Sequence, residues 1–234
     1  MIQNFKPFNL TMCNKIHNRK RTLAGETIFY DTYFEPKNIT KQDGNLAIQE
    51  FKHPSNNTNK TFGNIMIEIA LEEFFNTYNI KEFDVIGGIH SHSKVVKKIL
   101  NIIKKKYPNT FIINELILKT RMRNTYINQA LIDHESSLKT KEKVPISLNL
   151  SKKLHYDIVS KASLFPTRFR RYVHGLVKVN DNYIKDITNK RVLLIDDTFG
   201  EGLTLCESSR LLKPYIKSLR CFTVMKDFCN VVKK

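Results

Sequence analysis

One stretch of this sequence constrains the fold more than any other: residues 191 to 205, which read RVLLIDDTFGEGLTL. Its apolar first part is uninterrupted and is followed by turn-forming residues, a pattern typical of a strand buried in a parallel sheet. The second part holds two glycines and then returns to apolar residues, which indicates a tight turn that leads into a helix. This arrangement predicts an α/β fold, in which a parallel sheet is flanked by helices.

Asp196 and Asp197 stand at the end of this predicted strand. Successive side chains of a strand point to opposite faces, so at least one carboxylate faces the crevice where open α/β sheets bind ligands. Gly200 and Gly202 permit a tight backbone that can turn N–H groups toward an anion at the start of the helix. Paired carboxylates beside such a loop suit a sugar phosphate. An ordinary strand–turn–helix unit, whose acidic pair caps the helix, is the alternative.

Apolar spacing predicts further strands and helices along the chain. Residues 83–89, 94–106 and 111–118 form a predicted β–α–β unit, whose crossover is expected to be right-handed. Asp43-Gly44 is a turn signal between two predicted strands. The predicted strands are 26–35, 46–52, 83–89, 111–118, 172–179, 191–196 and 219–225, and the predicted helices are 62–78, 94–106, 154–163 and 204–212.

The chain is strongly basic, with 39 Lys and Arg against 22 Asp and Glu and a formal net charge of +17. Such a charge favours anionic partners such as nucleic acid, nucleotides, polyphosphates or acidic membrane surfaces. Asn, Lys and Ile are frequent throughout, so a general compositional bias is an alternative source of part of the excess charge.

Basic residues also gather in four runs, at 97–98, 104–106, 119–123 and 168–171. Phe165, Phe169 and Tyr172 are interleaved with the last run. Arginines that bind phosphates, beside aromatic faces that stack on bases, would suit single-stranded nucleic acid. A solvated helix face above core aromatics is the alternative interpretation.

The cysteines and the N-terminus bear on location. Cys13, Cys206, Cys221 and Cys229 form no Cys-x-x-Cys pair, which argues against a zinc ribbon and against a secreted disulfide framework. Residues 1–18 contain no long apolar core, so we expect neither a secretory signal nor a membrane anchor there. We therefore predict a cytoplasmic protein without membrane association.

The 191–205 stretch resembles the phosphoribosyl pyrophosphate (PRPP) signature of the type I phosphoribosyltransferases. In that signature an apolar strand, two acidic residues and two variable residues precede Thr-Thr-Gly-x-Thr. The resemblance implies that Asp196 and Asp197 hold the ribose hydroxyls and, with Gly200, form the catalytic centre. The loop from Gly200 to Thr204 would bind the 5′-phosphate. The implied PRPP-binding residues are Asp196, Asp197, Thr198, Phe199, Gly200, Glu201, Gly202, Leu203 and Thr204.

Gly200 and Glu201 depart from that signature, because the family usually has hydroxyl residues at both positions. A carboxylate at Glu201 would bring negative charge toward a bound phosphate and would oppose binding at short range. This departure favours a relative with weak activity or none.

Several further segments, over about residues 45–228, resemble the ComF-type phosphoribosyltransferases of DNA-uptake systems in their order. These segments are 46–52, 84–94, 121–129 and 170–176, and the zinc-binding cysteines common near that family's N-terminus are absent. The resemblance implies Mg²⁺ as the cofactor, bridging pyrophosphate and ribose hydroxyls. The implied pyrophosphate-binding residues are His90, Ser91, His92, Lys94, Arg121 and Arg123. The two histidines would suit a transition metal, but no third ligand is evident, so we predict no metal site made by the protein alone.

The sequence leaves two functions open. One is a magnesium-dependent phosphoribosyltransferase-like protein that binds PRPP or a related ribose phosphate and is linked to DNA uptake or handling. The other is a catalytically weak or inactive relative that binds nucleic acid or nucleotides in DNA processing, regulation or defence. The predicted organisation is a basic arm and β hairpin over 1–44, forming a hood, and a phosphoribosyltransferase-like domain over 45–234 with an insertion near 130–165. The family also implies a homodimer, and a complex with another protein is the alternative.

Overall fold

The computed structural model describes residues 4–5, 10–13, 18–23, 26–36, 41–91, 93–121, 125–127 and 173–226. The predicted helix over 154–163 and the predicted insertion near 130–165 lie outside these residues, as do the candidate site residues His92 and Arg123. Within the described ranges, no helix is long and apolar enough to cross a membrane.

The described elements alternate between strands and helices over most of the chain. The strands are β1 (Asn4–Phe5), β2 (Leu10–Met12), β3 (Arg19–Leu23), β4 (Glu26–Pro36), β5 (Val85–Ile89), β6 (Ile112–Lys119), β7 (Tyr126–Ile127), β8 (Val173–His174), β9 (Val177–Val179), β10 (Arg191–Phe199) and β11 (Ser218–Lys226). The α-helices are α1 (Lys41–Lys52), α2 (Asn57–Thr77), α3 (Val95–Lys106), α4 (Ile184–Ile187) and α5 (Leu203–Leu212).

Nine of these strands form one sheet, in the order β1-β2-β4-β11-β10-β5-β6-β9, with β3 also paired to β4. The five adjacent strands from β4 to β6 in this order are parallel, and the outer strands pair antiparallel. The protein is therefore an α/β molecule with a mostly parallel sheet flanked by helices, as predicted. The N-terminal hairpin, β3–β4, is continuous with this sheet, because β4 pairs with β11.

The sheet is covered on both faces, which explains why β10 is apolar without alternation. Leu193 and Ile195 pack with α1, α2 and α3 on one face. Val192 and Leu194 pack with α5 and the β8–β9 segment on the other face. The apolar part of this central strand, residues 192–195, is thus buried, and the two aspartates follow it directly.

The predicted strand over 46–52 is wrong, because these residues belong to helix α1. Asp43-Gly44, predicted as a turn, lies inside the same helix. Ala47, Ile48 and Phe51 are all buried, at a spacing that fits one face of a helix, whereas Leu46 is 59% exposed. Three consecutive apolar residues at 46–48 resemble the pattern of a short strand. Packing against α2 stabilises the helix instead.

The predicted β–α–β unit is confirmed as β5, α3 and β6, with β5 and β6 parallel. The β10 strand extends three residues beyond its predicted end, because Thr198 and Phe199 still pair with β11 and the Phe199 ring stacks on Tyr30 at 3.7 Å between centroids. The predicted strand over 172–179 is two short strands, separated at Gly175, whose φ is +75°.

Candidate functional site

The two aspartates lie near the carboxyl end of β10, between β5 and β11 at the middle of the sheet. Asp197 faces α1 and the loop between β5 and α3, where it contacts Lys52, Ser91 and Ser93. The pair stands where parallel sheets bind ligands, at the carboxyl ends of adjacent strands.

Asp197 is 2% exposed and surrounded by donors. Lys52 Nζ lies 2.7 Å from Oδ1, and the hydroxyls of Ser93 and Ser91 donate to Oδ2 at 2.6 and 3.0 Å. The Thr198 hydroxyl donates to Oδ1 at 3.0 Å. Burial by itself raises the pKa of Asp197, but Lys52 and the serine hydroxyls outweigh it and hold the pKa below its usual range. Asp197 is therefore an ionised carboxylate with its charge compensated inside the protein.

Asp196 has a different environment. Burial and the neighbouring charge of Asp197 raise the pKa of Asp196 to about 6, against the opposing effect of Lys119 and Lys52. Its Oδ1 accepts the backbone N–H of Asp197 at 2.9 Å. At neutral pH the carboxylate is ionised, and it retains acceptor capacity for ligand hydroxyls or a hard cation.

Lys119 connects the acidic pair to the helix that follows it. This residue ends β6, and its Nζ donates to Thr204 Oγ1 at 3.2 Å in the first turn of α5. Burial lowers the pKa of Lys119, whereas the charges of Asp196 and Asp197 raise it. A second lysine thus acts on the acidic pair and lies close to the implied phosphate loop.

The glycine turn between β10 and α5 has one constrained position and one open position. Gly202 has a φ of +84°, and a Cβ there would lie 2.9 Å from the Phe199 ring. Apart from the chain neighbours of Gly200, no heavy atom of the described residues lies within 4 Å of a Cβ built there. The Glu201 carbonyl accepts a hydrogen bond from Arg21 Nε at 3.1 Å, which ties the turn to β3.

We expect Gly202→Ala to lower the free energy of unfolding by about 1–3 kcal/mol, because the backbone is left-handed and the new methyl meets Phe199. Gly200→Ala is the matched control from the same turn, and its effect should stay within about 0.5 kcal/mol. Urea denaturation of both variants measures the difference. Equal losses in the two would contradict this description of the turn.

The residues predicted to bind pyrophosphate differ in whether they contact the acidic pair. Ser91 contacts Asp197 directly, and Lys94 is an exposed residue at the N-terminal cap of α3. His90 instead pairs with Glu115, with 3.0 Å between Nδ1 and Oε1. Arg121 is exposed just beyond the end of β6. Ser91 is therefore the member of this set that the structure brings to the acidic pair.

The structure places at the acidic pair three residues for which no role was predicted: Lys52, Ser93 and Lys119. Lys52 belongs to a predicted strand that is also one of the ComF-like segments, and Lys119 belongs to a basic run, but neither was assigned to the site. Both reach the pair from distant parts of the chain, so spacing along the sequence carried no signal. Ser93 lies within the segment that resembles the ComF-type block, where it could have been considered beside Ser91.

The side chains fit Mg²⁺ only in company with a ligand. No group of three or more His, Cys, Asp or Glu side chains is arranged to hold a metal ion in the part of the chain that the structure describes. Mg²⁺ commonly uses one or two carboxylates, several waters and substrate phosphate oxygens, and Asp196 can supply one such carboxylate.

Sequence comparisons add no relative to this picture. No known protein family matches the chain, and no curated protein matches it. The fold and the site define an α/β protein with an acidic, lysine-flanked centre at the carboxyl end of its central parallel strand.

Proposed function

We propose that this chain is a magnesium-dependent phosphoribosyltransferase-like protein that binds PRPP or a related ribose phosphate at the end of β10. The observation that carries the proposal is the position of Asp196 and Asp197. They lie near the carboxyl end of a central parallel strand, and an open glycine turn and the N-terminus of α5 follow within a few residues. This arrangement supports a ligand that carries vicinal hydroxyls at one end and a phosphate at the other.

The two carboxylates would have separate roles. Asp196, with its remaining acceptor capacity, would accept the ribose hydroxyls. Asp197 is already bound by Lys52, Ser91 and Ser93, so it would hold the β5–α3 loop and α1 in place around the sugar. Asp197 is therefore a positioning residue in this proposal, and Asp196 is the carboxylate that contacts the ligand.

The glycine turn and Lys119 would bind the 5′-phosphate. The open space at Gly200 admits phosphate oxygens, and the first N–H groups of α5 have no partner within the helix. Lys119, which already reaches Thr204, would oppose the negative charge of the phosphate and of Glu201. The glycine turn is thus the phosphate end of the proposed site.

The transfer itself requires positioning and charge stabilisation more than covalent chemistry. Bound Mg²⁺ would supply charge neutralisation at the pyrophosphate oxygens. The bond between C1 of ribose and the pyrophosphate oxygen breaks, and its electron pair leaves with pyrophosphate while the acceptor's lone pair forms the new bond to C1. Lys94, exposed at the start of α3, would stabilise the leaving group.

PRPP binding should depend on pH through Asp196. Because the pKa of Asp196 is about 6, we expect affinity to fall as the pH is lowered through 6 and the carboxylate is lost. Phosphate groups also titrate near pH 6, so the Asp196→Asn variant supplies the control. Calorimetric titrations with magnesium at pH 5.5 to 8 should show a steeper pH dependence in the wild type than in the variant. Parallel profiles in the two proteins would remove Asp196 from the site.

A second candidate function keeps the fold but not the transfer. Glu201 lies in the turn that would bind phosphate, and Lys52 already forms an ion pair with Asp197. In this function the acidic pair stabilises the fold and binds no ligand. The chain would then act through its charge, including exposed Lys104, Lys105 and Lys106 on α3. Binding to single-stranded DNA that weakens steeply as salt is raised, with no PRPP binding, would favour this function.

A further inference from the structure

A cavity of about 470 Å³ lies among α1, α2 and the start of α3, on the face of the sheet that Asp197 faces. Its walls include Phe51 from α1, Ile67 from α2 and Val95 from α3. All three side chains also belong to the apolar core on this face of the sheet. The cavity therefore offers an apolar interior to a molecule larger than a simple ion.

The polar lining of the cavity is cationic. Lys60, Lys94 and Lys98 line it, and no aspartate or glutamate is among the lining residues that the structure describes. Lys98 is half-buried and donates a hydrogen bond to Asn64 Oδ1, and its pKa is lowered by burial and by the charge of Lys60, against the opposing charge of Glu68 outside the lining. Three lysines gathered in a cavity with no carboxylate among its described lining residues favour an anionic occupant.

The cavity adjoins the acidic pair. Lys52 lines it and at the same time contacts Asp197, with 2.7 Å between Nζ and Oδ1. Lys94, which we place at the leaving pyrophosphate, lines it as well. A molecule in the cavity would therefore sit beside the end of the proposed PRPP site at which bonds are exchanged.

We propose that this cavity binds a small organic anion with an apolar, preferably flat body and one carboxylate or phosphate group. Phe51, Ile67 and Val95 would contact the body, and Lys60 and Lys98 would bind the anionic group. Its role as the acceptor rests on the proposed function. In that role a nucleophilic nitrogen or oxygen of the anion bonds to C1 of ribose, pyrophosphate leaves with the electron pair of the broken C1–O bond, and the acceptor's proton passes to water.

The test uses model anions in the absence of PRPP and magnesium. Benzoate and phenyl phosphate are titrated into the protein with binding followed by NMR, and benzyl alcohol serves as the neutral control. The variants are Lys60→Gln/Lys98→Gln and a matched pair, Lys104→Gln/Lys105→Gln, which removes the same charge at the other end of α3. The first pair lines the cavity and the second does not.

We expect an anion to bind the wild type and the Lys104→Gln/Lys105→Gln variant alike, and to bind the Lys60→Gln/Lys98→Gln variant about tenfold more weakly or worse. Benzyl alcohol should bind no better than it does to an unrelated protein. The tighter of benzoate and phenyl phosphate identifies the anionic group. Absence of binding, or equal binding by all three proteins, would overturn the proposal.

The outcome separates this inference from the proposed function. Anion binding that depends on Lys60 and Lys98 in a protein that does not bind PRPP would leave the cavity as an anion site and remove its role as acceptor site. PRPP binding without anion binding would keep the proposed function and overturn the cavity proposal.

Discussion

Replacement of Lys52 by methionine is expected to lower the free energy of unfolding by about 3 kcal/mol at pH 7, because it leaves a buried carboxylate without its cation. Asp197 is 2% exposed, and Lys52 is its closest cationic partner at 2.7 Å. Methionine keeps the length and apolar stem of the lysine, so the loss of stability measures the effect of removing the positive charge. Urea denaturation at pH 7 measures it.

The pH dependence of this loss has a definite sign. In the wild type the pKa of Asp197 is depressed, so its ion pair stabilises the protein above the carboxyl group's ordinary pKa, and that contribution is lost as the pH falls. Without Lys52 the pKa of Asp197 should rise, and protonation would then relieve the penalty at pH 5. The Lys52→Met/Asp197→Asn double variant should recover much of the stability at pH 7. A Lys52→Met variant as stable as the wild type at pH 7 would show that Lys52 does not compensate Asp197.

Gly88→Ala is expected to lower the free energy of unfolding by about 3 kcal/mol or more, an effect as large as that of Lys52→Met. Gly88 lies in the middle of the buried strand β5, and a Cβ there would stand 2.4 Å from the Asn114 carbonyl oxygen and 2.9 Å from Leu100. Asn114 lies at an irregularity of β6, between Ile113 and Ile117, which pair with Gly87 and Ile89, so its backbone oxygen cannot move aside without disturbing that pairing. Thermal or urea unfolding of the variant measures the loss.

Gly63→Ala provides a control of opposite sign. Gly63 lies inside α2, and its nearest new contact, Phe51 at 3.7 Å, is an ordinary van der Waals distance. Alanine is a better helix former, so we expect a gain of about 0.5–1 kcal/mol. The same substitution would thus change the free energy of unfolding in opposite directions at two buried glycines, because one lies in a helix with room for a methyl group and the other in a tightly packed strand. A loss at Gly63 comparable to that at Gly88 would contradict the packing described here.

The parallel core could be predicted from the sequence because its strands are buried on both faces and therefore read as short apolar runs. The β5–α3–β6 unit and β10 were found in this way. The same criterion failed at 46–52, where three contiguous apolar residues resemble a strand although the buried set fits a helix. The local sequence does not show that α2 packs against this segment.

The site was predictable only where it is continuous in sequence. Asp196, Asp197 and the glycine turn follow one another, so their joint position at a strand end could be expected. Lys52 and Lys119 come from α1 and β6, and their approach to the pair depends on strand order. Nothing near either lysine indicated a buried partner, and the lysine-lined cavity likewise exists only once α1, α2 and α3 are packed.

The central claim is that Asp196 and the glycine turn bind PRPP, and calorimetric titration of PRPP with magnesium at pH 7.5 tests it most directly. Asp186→Asn is the matched control for Asp196→Asn, because Asp186 is an exposed aspartate on α4 and has no role in the proposed site. We predict micromolar binding in the wild type and the control, and at least about a tenfold loss in Asp196→Asn. No binding to the wild type, or equal binding to all three proteins, would contradict the account.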